Sequence, residues 1–191
     1  MKNIIVKTER LDIVPLEIDE LKIMYKNEKD DEMKLAYKEM ITSMEKLKGF
    51  EEWGTNWEIK LKSSVSIGGL CFKCKSDNEG SVEIGYGIYE DYQNHGYATE
   101  AVKGVTEWAL KQNGVKCVCA QTDEENIISQ KVLIKSGFVH DGYGDEGMLF
   151  KKHYKKSKKA QLTVLFLNTE FLIFFFYYMD MNIFEFFYYL L

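Results

Sequence analysis

Gln93-Asn94-His95-Gly96-Tyr97-Ala98 follows the strand-like run Ser81–Ile88 and opens a helical pattern that continues through Leu110. A strand that feeds a glycine-bearing loop at a helix start gathers several unpaired backbone N–H groups. Gly96 has no Cβ, so the main chain can turn sharply and come close to an anion, and the positive end of the helix dipole attracts that anion. The stretch reads as a phosphate cradle. It is not a Walker loop, which needs Lys followed by Ser or Thr after its second Gly, and Gly85, Gly87 and Gly96 do not form the Gly-x-Gly-x-x-Gly of dinucleotide folds.

Working outward, periodicity predicts a strand over 10–16, helices over 18–25 and 31–47, and strands over 57–62, 65–73 and 81–88. Residues 75–80 form a polar hairpin turn. In the helix predicted over 97–112, Ala98, Ala101, Val102, Val105, Trp108 and Ala109 share one face, and Asn113-Gly114 supplies the stop. A strand over 115–121 and a helix over 126–136 follow, the latter with Ile128, Val132 and Leu133 as packing residues and Gly137 at its end. Two short strands within 138–152 flank the acidic, glycine-rich stretch 141–147. The implied class is α/β (α+β), a mixed, mostly antiparallel central sheet with flanking helices.

The chain has 191 residues, enough for one domain with a substantial core. Charges run through Arg10 and no apolar stretch of signal-peptide length precedes it, which predicts a cytoplasmic protein. Cys71 and Cys74 fall three residues apart in a predicted strand and therefore on opposite faces, unlike a zinc knuckle. Cys117 and Cys119 share a face, as small buried thiols do. No metal site is expected, nor a disulfide framework.

Composition changes sharply near residue 153. A basic run over 151–159 leads into residues 161–191, which hold 12 of the chain's 27 aromatic residues. The expected division is an enzyme domain over 1–152 and a basic, then aromatic and apolar extension over 153–191. A membrane anchor within 162–179 is long enough, yet Asn168, Thr169 and Glu170 near its middle argue against it. The whole chain carries −5, and the extension contributes +1 from four Lys and three acids, leaving −6 for the domain. That acidity disfavours nucleic acid and favours cationic partners such as amines. The sequence carries no signal for an oligomeric state.

Several motifs together resemble the GNAT superfamily of N-acetyltransferases. They are the loop at 93–98, Glu83-Ile84-Gly85-Tyr86 before it, Ala98-Thr99-Glu100-Ala101-Val102 after it, Asn126-x-x-Ser129, and Lys135-Ser136-Gly137-Phe138. Thr8-Glu9-Arg10-Leu11 and Ile67-Gly68-Gly69-Leu70 also look like the branch that contains ribosomal-protein N-terminal acetyltransferases. The likeness spans about residues 8–150 and is most specific over 83–138.

The resemblance implies acetyl-coenzyme A as cosubstrate and a primary amine, from a protein N-terminus or a small molecule, as acceptor. Gln93, Asn94, His95, Gly96, Tyr97 and Ala98 would hold the pyrophosphate, largely through backbone amides, and Asn126 would contact the coenzyme. Glu83 matches the family's general base. A backbone N–H at Ile88 or Tyr89 would polarise the thioester carbonyl. Many members place a Tyr seven residues after the helix-start Asn, and this chain has Leu133 there, which cannot donate a proton. Ser129 is assigned that task, with Tyr86, Tyr89 and Tyr92 as reserve donors. Acceptor specificity is expected from 26–53 and 141–147. His95 is read as a surface residue, His140 as lying just before the turn at Asp141-Gly142, and Trp53 and Trp57 as core. The competing reading is a non-catalytic acyl-coenzyme A-binding module with the same fold, for which Leu133 is the main argument.

Overall fold

The computed structural model describes residues 4–73 and 79–154. Cys74, most of the turn predicted over 75–80, and nearly all of the 153–191 extension lie outside the described residues.

Alternating apolar positions build the first half of the sheet. Leu11 and Ile13 of β2 (Leu11–Pro15), Trp57 and Ile59 of β3 (Asn56–Leu61), and Leu70 and Phe72 of β4 (Ser66–Phe72) are all buried, while their polar neighbours are partly exposed. Register aligns them, with Ile13 opposite Ile59 and Trp57 opposite Leu70. A two-residue strand, β1 (Val6–Lys7), pairs with β2 through Val6 and Ile13; it is too short to give a periodic signal in sequence. Two helices follow β2. α1 (Ile18–Asn27) starts with a capping box between Glu17 and Glu20, and α2 (Asp31–Lys46) starts with Asp30 accepting from Met33 N–H at 2.9 Å. Leu16, Leu21, Tyr37 and Met44 form their shared core. The stretch 26–53, from which acceptor specificity was expected, is thus mostly α2, close to the helix predicted over 31–47 and held by its buried Tyr37 and Met44.

β5 (Ser81–Ile88), β6 (Cys117–Thr122), β7 (Val139–Gly144) and β8 (Gly147–His153) complete an eight-stranded sheet in the order β1-β2-β3-β4-β5-β6-β8-β7. Every adjacent pair is antiparallel except β5 with β6. Between them, α3 (Tyr97–Ala109) buries Ala101, Val102, Val105 and Ala109 against the sheet. Trp108 of α3 joins Trp53, Trp57 and Phe72 in an aromatic cluster, with Trp108 and Trp57 centroids 4.7 Å apart. Such pairs add about 0.5–1.5 kcal/mol each beyond burial. The helix stops short of the predicted 112 because Lys111 and Gln112 N–H reach back only three residues, to Trp108 and Ala109, tightening the last turn.

α4 (Ile127–Lys135) buries Leu133 fully, and Phe138 N–H returns to Leu133 O at 3.1 Å across Gly137, whose φ is +88°. Ile128, expected to pack inward, is 71% exposed, since a nine-residue helix resting on Leu133 turns its first turn outward. No helix among the described residues is long and apolar enough to cross a membrane.

Candidate active site

The β5–β6 contact is where the sheet opens. Its parallel pairing covers only Ser81 with Cys117, Val82 with Val118 and Glu83 with Cys119. Beyond Glu83, β5 stays bonded to β4 while β6 stays bonded to β8. The two strands part there, and the edge of β5 from Ile84 to Ile88 faces the gap. Hydrogen-bond parity decides which backbone groups point into it. Lys73 N–H donates to Glu83 O at 2.9 Å and Tyr89 N–H donates to Ile67 O at 2.9 Å, so odd-numbered residues of this strand bond to β4. Even-numbered ones turn toward the gap. Of the two amides considered for polarising a thioester, Tyr89 is thus committed to Ile67, and Ile88 is the one on the open edge. The Ile88 carbonyl, on the same side, accepts from Gln93 Nε2 at 3.0 Å, which ties the following loop to the strand end. Gly68, opposite Ile88, allows this close packing: a Cβ there would lie 2.3 Å from Gly87 O.

After a single helical turn over Glu90–Tyr92, the loop adopts two left-handed residues, Asn94 at φ +63° and Gly96 at φ +79°. Successive residues of this kind aim neighbouring N–H groups outward as an anion-binding concavity. α3 then begins with Gly96 at its N-cap and no side-chain cap; the first intrahelical bond runs from Glu100 N–H to Gly96 O at 3.1 Å. The N–H groups of Tyr97, Ala98 and Thr99 consequently have no intrahelical acceptor. Behind the loop, the Arg10 guanidinium donates through Nε to Glu100 Oε2 at 2.7 Å and through Nη1 to His95 O at 3.0 Å, and lies 4.6 Å from the Tyr97 ring centroid. Thr8 Oγ and Arg10 N–H donate to the other Glu100 oxygen at 2.6 and 2.8 Å. Burial pushes the Glu100 carboxyl up, and these donors outweigh it, leaving the group below the ordinary carboxylate value.

A cleft of about 580 Å³ runs from this loop along the open edge of β5 to α4. Ile88, Gln93, Asn94, Gly96, Tyr97, Ala98, Asn126 and Ser129 all line it; Glu83, Tyr89 and the His95 side chain do not. His95 instead stacks on Tyr97 with centroids 5.7 Å apart. Inside the cleft, Tyr86 Oη lies 3.0 Å from Ser129 Oγ and 3.2 Å from Ser129 O, a strand-to-helix bridge across the gap. Burial raises the Tyr86 phenol, partly offset by its bond to Ser129, so it keeps its proton at neutral pH. Asn126 Oδ1 caps α4 by accepting from Ser129 N–H at 3.0 Å, leaving the Asn126 amide nitrogen to address a ligand. Lys131 and Lys135 also line the cleft. Their four-residue spacing places them on one helix face, a signal that was present in the sequence and went unused.

Glu83 faces the other side of β5, as its odd position requires. Its Oε1 pairs with Lys73 Nζ at 2.6 Å and its Oε2 accepts from Gln121 Nε2 at 3.0 Å. Lys73 also pairs with Glu146 of the β7–β8 turn, and Glu146 N–H donates to Gln121 Oε1 at 3.0 Å, closing a ring of four residues. Burial lowers the Lys73 ammonium, but its bonds to Glu146 and Glu83 prevail and hold it raised. No local pattern announces this ring, because its members come from the residue after β4, from β5, from β6 and from a turn.

Comparison with known proteins bears on the fold and the family. The solved ribosomal-protein-S5-alanine acetyltransferase from Vibrio fischeri superposes with a TM-score of 0.61 at 16% identity, covering 79% of this chain and 97% of that one. The microcin C7 self-immunity acetyltransferase MccE, solved with acetyl-CoA and AMP, gives a TM-score of 0.60 at 12% identity, covering 77% and 94%. At these identities the likeness is one of fold. The uncharacterized N-acetyltransferase YjdG of Bacillus subtilis (strain 168) is 30% identical over 103 residues, 54% of this chain, and the match spans only 60% of that relative's length. The family profile described as "Acetyltransferase (GNAT) domain" matches residues 10–139, and the chain belongs to that family.

Proposed function

We propose that this protein transfers the acetyl group of acetyl-coenzyme A to a primary amine. One observation carries the reading: a single cleft joins the left-handed loop and uncapped helix start, the open backbone edge at Ile88, and the Tyr86–Ser129 pair. That cleft is of the size that holds a small-molecule ligand. Amides of residues 94–98 bind the pyrophosphate, with Lys131 and Lys135 adding positive charge along α4. Asn126 directs the pantetheine arm. The Ile88 N–H donates to the thioester oxygen as negative charge develops there, and Tyr86, with Ser129 beside it, returns a proton to the departing sulfur.

The acceptor reaches the thioester from the opposite face, where Glu83 and Glu146 form an acidic lining around Lys73. Glu83 takes the amine's surplus proton. Five residue steps lead from it to Ile88, roughly 17 Å along an extended strand, so the proton travels through water. A protein N-terminus and a small cationic amine both suit this face. The decisive measurement is free-thiol release from acetyl-coenzyme A with a panel of peptide N-termini, polyamines and aminoglycosides. Turnover with one class names the acceptor; tight coenzyme binding without turnover on any acceptor would establish instead the non-catalytic acyl-coenzyme A-binding module.

A further inference from the structure

We infer that Arg10 is a positioning residue for coenzyme binding: by holding the His95 carbonyl from behind, it aims the Gly96 N–H into the cleft. The inference rests on the reading of the cleft as an acetyl-coenzyme A site. The His95–Gly96 peptide is trans, as are all peptide bonds described, so its C=O and N–H point in opposite directions. Fixing one fixes the other. Arg10 Nη1 donates to His95 O at 3.0 Å, and Gly96 lines the cleft on the far side of that peptide.

Arg10 is itself held at three points. Glu100 Oε2 accepts from Nε at 2.7 Å, the Tyr97 ring lies 4.6 Å away, and the Arg10 main-chain N–H binds the other Glu100 oxygen at 2.8 Å. Thr8 completes the grip by donating to Glu100 at 2.6 Å. The start of β2 and the first turn of α3 are thereby locked around the one peptide that must not rotate. Rotation is the natural hazard here, since glycine on one side of that peptide permits many φ/ψ combinations. Because Glu100 neutralises Arg10 at contact distance, the effect on a phosphate is one of orientation, and a lysine cannot reproduce it: a single ammonium lacks the planar fork that serves Glu100 and His95 at once.

The test compares acetyl-coenzyme A with S-acetylpantetheine, a donor that carries the same thioester arm without the pyrophosphate. Arg10→Ala and Arg10→Lys are each expected to raise the dissociation constant for acetyl-coenzyme A, by calorimetry, about ten-fold, and to raise its KM in step with little change in kcat. With S-acetylpantetheine the same variants should shift kcat/KM less than two-fold. An equal loss with both donors would assign Arg10 a merely structural part and overturn the inference, as would unchanged coenzyme affinity in a folded Arg10→Ala protein or full rescue by Arg10→Lys. Failure of the unaltered protein to bind acetyl-coenzyme A would remove the acetyltransferase reading itself, a distinct outcome.

Discussion

The two halves of β5 share one strand and one alternation of faces, yet they do different work. Ser81, Val82 and Glu83 pair with β6, and Glu83 O also accepts from Lys73 N–H just beyond β4, so this half acts as sheet. Residues 84–88 are paired on one edge only, and everything assigned to the coenzyme lies along them or across the gap from them. A backbone edge left unbonded inside a protein is costly unless something satisfies it. The open half is thus a stored capacity to bind, and the closed half holds it rigidly in register. Glu83 sits at the last step paired with β6 and Tyr86 within the open half, on opposite faces, which in the proposed reading divides acceptor side from coenzyme side.

The sharpest way to break this contrast is to close the open half's phosphate end. Gly96→Val forces a β-branched residue to φ +79° and turns neighbouring N–H groups away from an anion. Losing two charge-assisted hydrogen bonds, at about 1.5–3 kcal/mol each, should weaken acetyl-coenzyme A binding several hundred-fold. Calorimetry on the folded variant reads this directly, and unchanged affinity would detach the loop from the coenzyme. A Cβ at Gly96 would meet only Arg10 Nη2, at an unstrained 3.6 Å, so the penalty comes from backbone conformation and not from crowding within the protein.

On the closed side, Glu83→Gln keeps the bond geometry available to Gln121 and removes the negative charge. Turnover should fall about 100-fold with coenzyme affinity unaltered. If turnover survives with the same pH profile, the acceptor face works by placing a free amine, and Glu83 belongs to the ring with Lys73 and Glu146 as structure alone. Within the open half, Tyr86→Phe should lower kcat about ten-fold and Ser129→Ala less, because water can replace a hydroxyl there. The double variant should cost less than the sum, since each group acts through the other across 3.0 Å. Strict additivity would separate them into two unrelated roles.

The smallest effect concerns Asn94. Its φ of +63° makes it a conformational partner of Gly96. Asn94→Ala should weaken coenzyme binding by about 1 kcal/mol, roughly five-fold, and Asn94→Gly should restore it, because glycine adopts this geometry without strain. Equal affinities for all three would mean that the left-handed turn at Gly96 suffices.

Short-range pattern was enough to locate the strand, loop and helix at 81–110, the capped start of α4 at Asn126 and its glycine stop at Gly137, because each depends on residues within a few positions of one another. That the loop residues, Asn126 and Ser129 belong together was implied by the family resemblance, and in the fold they line one cleft. What only the folded chain decided was parity and partnership. Whether Ile88 or Tyr89 presents its N–H to the gap depends on the register of β5 against β4, and a shift of one residue would exchange them. The grip of Arg10 on His95, across 85 residues, and the ring joining Glu83 to Lys73, Gln121 and Glu146 arise from segments that meet only in the finished fold. Local sequence sets the conformations available to each segment. The hydrogen bonds that select among their edges and faces are made between segments, and so are fixed only when the sheet order is.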